Sequence, residues 1–159
     1  MNFQEAIKSS PALVRNACMK GKKAMKGKHR EQVDCADTKR FLGSFDLDNA
    51  YAGAQPNANR WDYGLGFKEK SKEEVMLWLE VHSATAGEVD AFLRKYQWLM
   101  NWLKTEAKDL AALTKRKGGQ KCFLWLATDS GVNIRPGSQH ARRLQSAGFD
   151  LPRQKIILT

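Results

Sequence analysis

The stretch Glu74-Val75-Met76-Leu77-Trp78-Leu79-Glu80-Val81-His82-Ser83-Ala84 constrains this chain more than any other. It is a short run rich in Val, Leu and Trp, and after its first residue only Glu80, His82 and Ser83 interrupt it, so it reads as a strand. Side chains alternate across a strand, which puts Glu80 and His82 on one face and Leu77, Leu79 and Val81 on the other. Just upstream, Arg60 to Phe67 reads as a second strand. There Asp62 shares a face with Gly64 and Gly66, while Trp61, Tyr63, Leu65 and Phe67 take the opposite face. If the two strands are neighbours, the carboxylates of Asp62 and Glu80 converge. An ionised group inside an apolar strand is costly unless it is paired or bound to a cation, so the pattern hints at a metal site.

The rest of the chain builds around that pair. At 159 residues it is expected to form a single domain, 1–159, with a core of ordinary size. The formal net charge is +10, which favours a polyanionic partner such as nucleic acid. No apolar run approaches a membrane span, and the N-terminus lacks a signal-peptide core. Three scattered cysteines, Cys18, Cys35 and Cys122, and three dispersed histidines, His29, His82 and His140, give no zinc spacing. A reducing, cytoplasmic setting is expected. The sequence leaves room for a homodimer.

Residues 1–30 read as a basic, helical N-terminal part. Asn2 and Glu5 stand at capping-box spacing for a short helix to Lys8. Ser10-Pro11 reads as an N-cap and first helical residue, opening a helix expected to reach Lys26. Its outer face would carry Arg15, Lys20, Lys22, Lys23 and Lys26, continued by Lys28 and Arg30. No acid falls between Lys8 and Arg30, so these cations are the expected phosphate contacts; a solvated face is the alternative.

Arg40 to Asp48 reads as another strand, with Phe41, Gly43, Phe45 and Leu47 on one side. With the two strands described first it makes an antiparallel meander. Thr85 to about Arg116 has helical periodicity in Val89, Phe92, Leu93, Tyr96, Leu99, Met100, Leu103, Ala107 and Leu110, with a basic and glycine stop over Lys115 to Gly119. Cys122 to Ala127 is a continuous apolar run, expected as a buried strand parallel to the third. A helix from about Ser138 to Ala147 and a closing strand, Lys155 to Thr159, complete the chain.

The order of elements, with a lone Asp62 on the second meander strand and Glu80-Val81-His82 on the third, resembles the PD-(D/E)XK, or restriction-endonuclease-like, nuclease superfamily. The resemblance covers about Pro11 to Ala127. It implies an α/β fold with an αβββαβ core, a mixed central sheet flanked by helices on both faces. It implies that Asp62 and Glu80 bind the metal with the backbone of Val81, and that His82 takes the place usually held by lysine. No proline precedes Asp62; Trp61 stands there. The activity implied is metal-dependent hydrolysis of phosphodiester bonds in nucleic acid, DNA rather than RNA, with magnesium or manganese. Hard divalent cations prefer oxygen ligands of this kind.

An imidazole at His82 could position water and accept its proton. Asp48 is a candidate further acid, with Asp46 beside it. Each residue also has a plainer reading. Asp62 could cap a glycine turn, Glu80 could pair with Arg60, and His82 could bond to backbone or solvent. Two other functional classes stay open: a nucleic-acid-binding module on the same fold with a degenerate centre, and an interaction protein with an aromatic binding surface.

Overall fold

The computed structural model describes residues 1–115 and 121–159, with 129 and 130 described by backbone alone. Of the expected basic and glycine stop over Lys115 to Gly119, all but Lys115 lies outside the described residues. The fold is α/β, a mixed central sheet flanked by helices. Three antiparallel strands, β3 (Phe41–Asp46), β4 (Tyr63–Lys68) and β5 (Glu74–Thr85), form the expected meander. Helix α5 (Val89–Glu106) then carries the chain over to β6 (Phe123–Asn133), which pairs parallel to β5. The two-residue strand β1 (Met19–Lys20) adds to the far edge, giving the order β1-β3-β4-β5-β6.

Each face of the sheet has its own core. On one, Met76, Trp78 and Trp125 pack with Phe92, Leu99, Trp102 and Leu110 of the helical layer. On the other, Leu65, Leu77, Leu79, Leu124 and Leu126 meet Met25, Val33, Ile156 and Leu158. This second face is covered mainly by a small parallel pair, β2 (Val33–Cys35) with β7 (Ile156–Leu158), so the closing strand does not join the central sheet. Helices thus gather on one face, and the short helix α3 (Gly27–Glu31) accompanies β2 on the other.

The N-terminal capping box forms as expected and opens α1 (Phe3–Lys8). Ser138 caps α7 (Gln139–Ser146), its hydroxyl accepting the Ala141 N–H. The helix expected from Pro11 to Lys26 does not form. Helix α2 spans only Ala12–Ala17, and Pro11, not Ser10, is its N-cap. Cys18 is extended, and Gly21 follows with φ of +57°, a left-handed conformation that turns the chain back after β1. Pairing of Met19 and Lys20 with Ser44 and Gly43 replaces the helical bonds.

Strand β3 stops at Asp46, where α4 (Leu47–Tyr51) begins. A register shift between Phe41 and Gly43 sends Phe41 to one core and Phe45 to the other, so the expected shared face is broken. The long helix breaks at Ala107, where φ is −138° and ψ 53°, and α6 (Lys108–Leu113) follows. The break has no proline or glycine behind it. It turns Leu110 and Leu113 back onto the core, and Thr114 accepts the Trp78 indole N–H at 3.0 Å.

Candidate functional site

The β4–β5 register decides the site. Tyr63 lies opposite Leu79, so one step further along the antiparallel ladder Asp62 faces Glu80. Asp62 sits just before β4, and its backbone carbonyl accepts the N–H groups of Leu47 and Asp48 at 2.8 and 3.3 Å. Its side chain accepts the Val81 N–H at 2.9 Å. The first turn of α4 and the backbone of β5 therefore hold this aspartate from two sides. Trp61 departs from the expected alternation because it precedes the ladder. It packs on Phe92 and Phe123, on the helical side.

Glu80 is fully buried, 0% exposed, and the Asp62 charge acts on it from the neighbouring strand. Its expected alternative partner, Arg60, is elsewhere, bonded to Asp48 at 2.9 Å. The partner is Lys95 of α5, whose ammonium donates to both Glu80 oxygens at 2.9 and 3.0 Å. Sequence reading passed over this lysine. A signal existed, since Lys95 falls between Phe92 and Leu99 on the buried stripe of α5, where a cation needs a reason.

Burial pushes the Glu80 carboxyl well above the usual carboxylate range, and the neighbouring Asp62 charge adds to this against the pull of Lys95. Burial also opposes the charge on Lys95, but Glu80 and Asp62 more than offset it and its pKa is raised. Lys95 therefore stays charged, and the Glu80 carboxyl takes up a proton more readily than an exposed one. A divalent cation between the two carboxyls would relieve the same burial cost. Magnesium binds through one or two carboxylates and keeps several waters, so Asp62 and Glu80 fit it or manganese. A carboxylate bonded to lysine through both oxygens still has free lone pairs. Among the described residues no group of three or more His, Cys, Asp or Glu could form an all-protein metal cage.

His82 shares the Glu80 face of β5 as expected, but it is engaged elsewhere. Its Nε2 lies 2.6 Å from a Glu88 oxygen, and its carbonyl accepts the Trp125 indole N–H at 3.2 Å. Asp46 caps α4 by accepting the Asn49 N–H at 2.9 Å. Asp48 is committed to Arg60, although its charge is still felt at Lys95.

The expected phosphate-binding cations do not form one helical face. Arg15 of α2 donates to the Ser10 carbonyl. Together with Lys20 it lines a groove of about 500 Å³ beside Phe3, Leu42 and Glu74. Lys22 is structural: its ammonium bonds the carbonyls of Arg30 and Val33 and lies 4.7 Å from the centre of the Phe41 ring. Arg30 binds back to the Met25 carbonyl. Lys23, Lys26 and Lys28 are exposed. The segment is moored to β4 at Tyr63, the residue after Asp62, because the Tyr63 hydroxyl accepts the Lys26 N–H at 3.4 Å and lies 2.7 Å from His29 Nδ1. Burial pushes Tyr63 up to about 12, with Asp46, Asp62 and Asp48 adding to the shift. Burial lowers His29, against the pull of Asp62.

No protein-family model, curated protein or solved structure matches this chain. No helix among the described residues is long and apolar enough to cross a membrane.

Proposed function

We propose that this chain is a nuclease of the restriction-endonuclease-like kind, hydrolysing phosphodiester bonds in nucleic acid, DNA rather than RNA, with magnesium or manganese. The observation that carries the reading is the buried cross-strand pair of Asp62 and Glu80 with Lys95 bonded to it. Perturbed carboxyls clustered with a lysine in this way are functional-site candidates. Asp62 and Glu80 would hold the ion, with Val81 orienting Asp62 through its N–H. When bound, the ion supplies Lewis acidity toward a phosphate oxygen and makes water acidic enough to attack at neutral pH.

The chain's own residues supply the rest. Lys95 fixes the Glu80 carboxylate and offers positive charge where negative charge grows on the phosphate. This is the task the resemblance gave to His82, and Lys95 is the better placed of the two. His82, paired with Glu88 on the same face, remains a candidate for orienting water. Lys23, Lys26 and Lys28 would meet the flanking phosphates.

A second reading is a nucleic-acid-binding module with an inactive centre. It is favoured by the lysine occupying both Glu80 oxygens and by the lack of a third acid joining the described pair. Incubation of purified protein with supercoiled and linear DNA in magnesium or manganese separates them. Cleavage lost in Asp62→Asn supports the nuclease. Tight, salt-dependent binding without cleavage in either metal supports the module.

A further inference from the structure

Along α5 lies an open cleft of about 650 Å³ that the nuclease reading does not use. Its lining includes Asn59, Arg94, Gln97, Trp98 and Arg143. In sequence its lining adjoins residues of the site at two points. Arg94 precedes Lys95 on α5, and Asn59 precedes Arg60, which holds Asp48. Arg143 also borders an adjoining hollow of about 640 Å³ lined by Gln139 and Arg142, so the cations continue along α7. Asp90 is the one acid in the lining of these two hollows, and Arg143 already pairs with it at 2.7 Å.

We infer that this cleft binds an unpaired, single-stranded stretch of the nucleic acid, resting on the nucleic-acid reading above. Three arginines against one aspartate give the charge complement for phosphates. The indole of Trp98 and the side chain of Leu93 give an apolar surface for a base. Every base has a stacking face, so such contacts are tolerant of sequence. The amides of Asn59 and Gln97 can donate and accept, which suits base edges. Base faces and Watson–Crick edges are occupied in a duplex and open in a single strand. The indole is also held in advance. Its N–H donates to Gln55 at 2.9 Å, and its ring lies within 9° of parallel to Trp102. A rigid aromatic loses little freedom when a base settles on it.

The test measures binding without cleavage, in EDTA, using the full chain with a labelled 12-nucleotide oligo(dT) and a 12-base-pair duplex. Expected is salt-dependent binding of oligo(dT) with quenching of tryptophan fluorescence. Trp98→Leu should weaken oligo(dT) binding about tenfold, while Trp98→Phe retains most of it. Arg94→Gln, at an exposed position, should weaken it about threefold to tenfold, and duplex binding should change less than twofold in all three. Arg94→Gln keeps the test sound if Trp98→Leu disturbs the fold. The inference is overturned if Arg94→Gln and a folded Trp98→Leu leave oligo(dT) binding unchanged, or weaken duplex binding equally. It is also overturned if the wild type does not bind oligo(dT). Wild-type cleavage in magnesium, measured separately, bears on the nuclease reading alone.

Discussion

The ammonium of Lys95 lies 2.9 and 3.0 Å from the two carboxylate oxygens of Glu80, a residue with no exposed surface. A helix packed on one face of the sheet thereby bonds a strand residue 15 positions earlier and fixes the centre of the site. Breaking a buried pair by removing one partner leaves an uncompensated charge or proton, at a cost of about 3–5 kcal/mol. Lys95 keeps about a fifth of its side chain exposed, so Lys95→Met should fall at the low end, about 3 kcal/mol. The double variant Lys95→Met with Glu80→Gln should recover more than half of that loss. Urea unfolding of the two singles and the double measures the coupling, and additive losses would contradict the pair.

Rates should separate Lys95 from His82. Asp62→Asn should abolish metal-dependent cleavage with the fold intact by circular dichroism. Lys95→Ala should lower the cleavage rate by about 10²–10⁴, the scale of one electrostatic or acid–base group. His82→Ala should cost less than Lys95→Ala, because Glu88 and not the carboxyl pair holds the imidazole. Single-turnover cleavage of a fixed DNA substrate ranks the three. A larger loss in His82→Ala would return the lysine role to His82.

The parts legible in the sequence are those set by local pattern. The Asn2–Glu5 box, the helix opening at Ser138, the three-strand meander and the parallel fourth strand all follow from periodicity and capping chemistry. The convergence of Asp62 and Glu80 followed from strand alternation plus neighbour pairing. The parts not legible are set at a distance. Met19 and Lys20 leave the helical conformation to pair with β3, and β2 meets β7 across the whole chain. Ala107 breaks a helix that no local residue interrupts, because burial of Leu110 and Leu113 outweighs continuity. Lys95 was hidden by the strength of the apolar stripe around it.

The glycines beside the site test the packing directly. A Cβ added at Gly64 would stand 2.3 to 2.9 Å from three atoms of the Phe45 ring, itself fully buried and edge-on to Trp78. The ring has no room to retreat in that layer. Gly64→Ala should therefore destabilise by about 1–3 kcal/mol, the range for overpacking a filled core. Thermal melting reads it, and an unchanged midpoint would mean that Phe45 has space to move. Gly53→Ala, with open space around the added carbon, is the control and should leave the midpoint nearly unchanged.

His29 sets an acid limit on the moored segment. Burial lowers its pKa, so the folded state prefers the neutral ring. A depressed pKa contributes stability above the unfolded value, about 6.5, which is lost as pH falls through the folded value. The wild type should lose stability below about pH 6.5, and His29→Gln should lose less over that window. Tyr63 has the opposite sense. Its raised pKa contributes stability that is lost as pH rises from about 10 through about 12. Urea midpoints from pH 5 to 11 in wild type and His29→Gln measure both. Parallel curves below pH 6.5 would remove His29 from the account.

The basic segment predicts a salt signature that depends on which lysines are free to meet phosphate. Lys22 is committed to the carbonyls of Arg30 and Val33, so reversing it would damage the fold rather than report on binding. Lys20, Lys23 and Lys26 are exposed and can be changed together. Each phosphate contact contributes close to one unit of slope in log affinity against log salt. The triple variant Lys20→Glu, Lys23→Glu and Lys26→Glu should therefore weaken DNA binding uniformly across sequences and flatten the slope by about 2–3. Lys22→Met should instead lower the melting temperature. Binding titrations from 50 to about 200 mM salt supply the slopes. A triple variant with unchanged slope would move the phosphate surface away from this segment, leaving Arg94, Arg142 and Arg143 of the cleft along α5 and α7 as the cations to examine next.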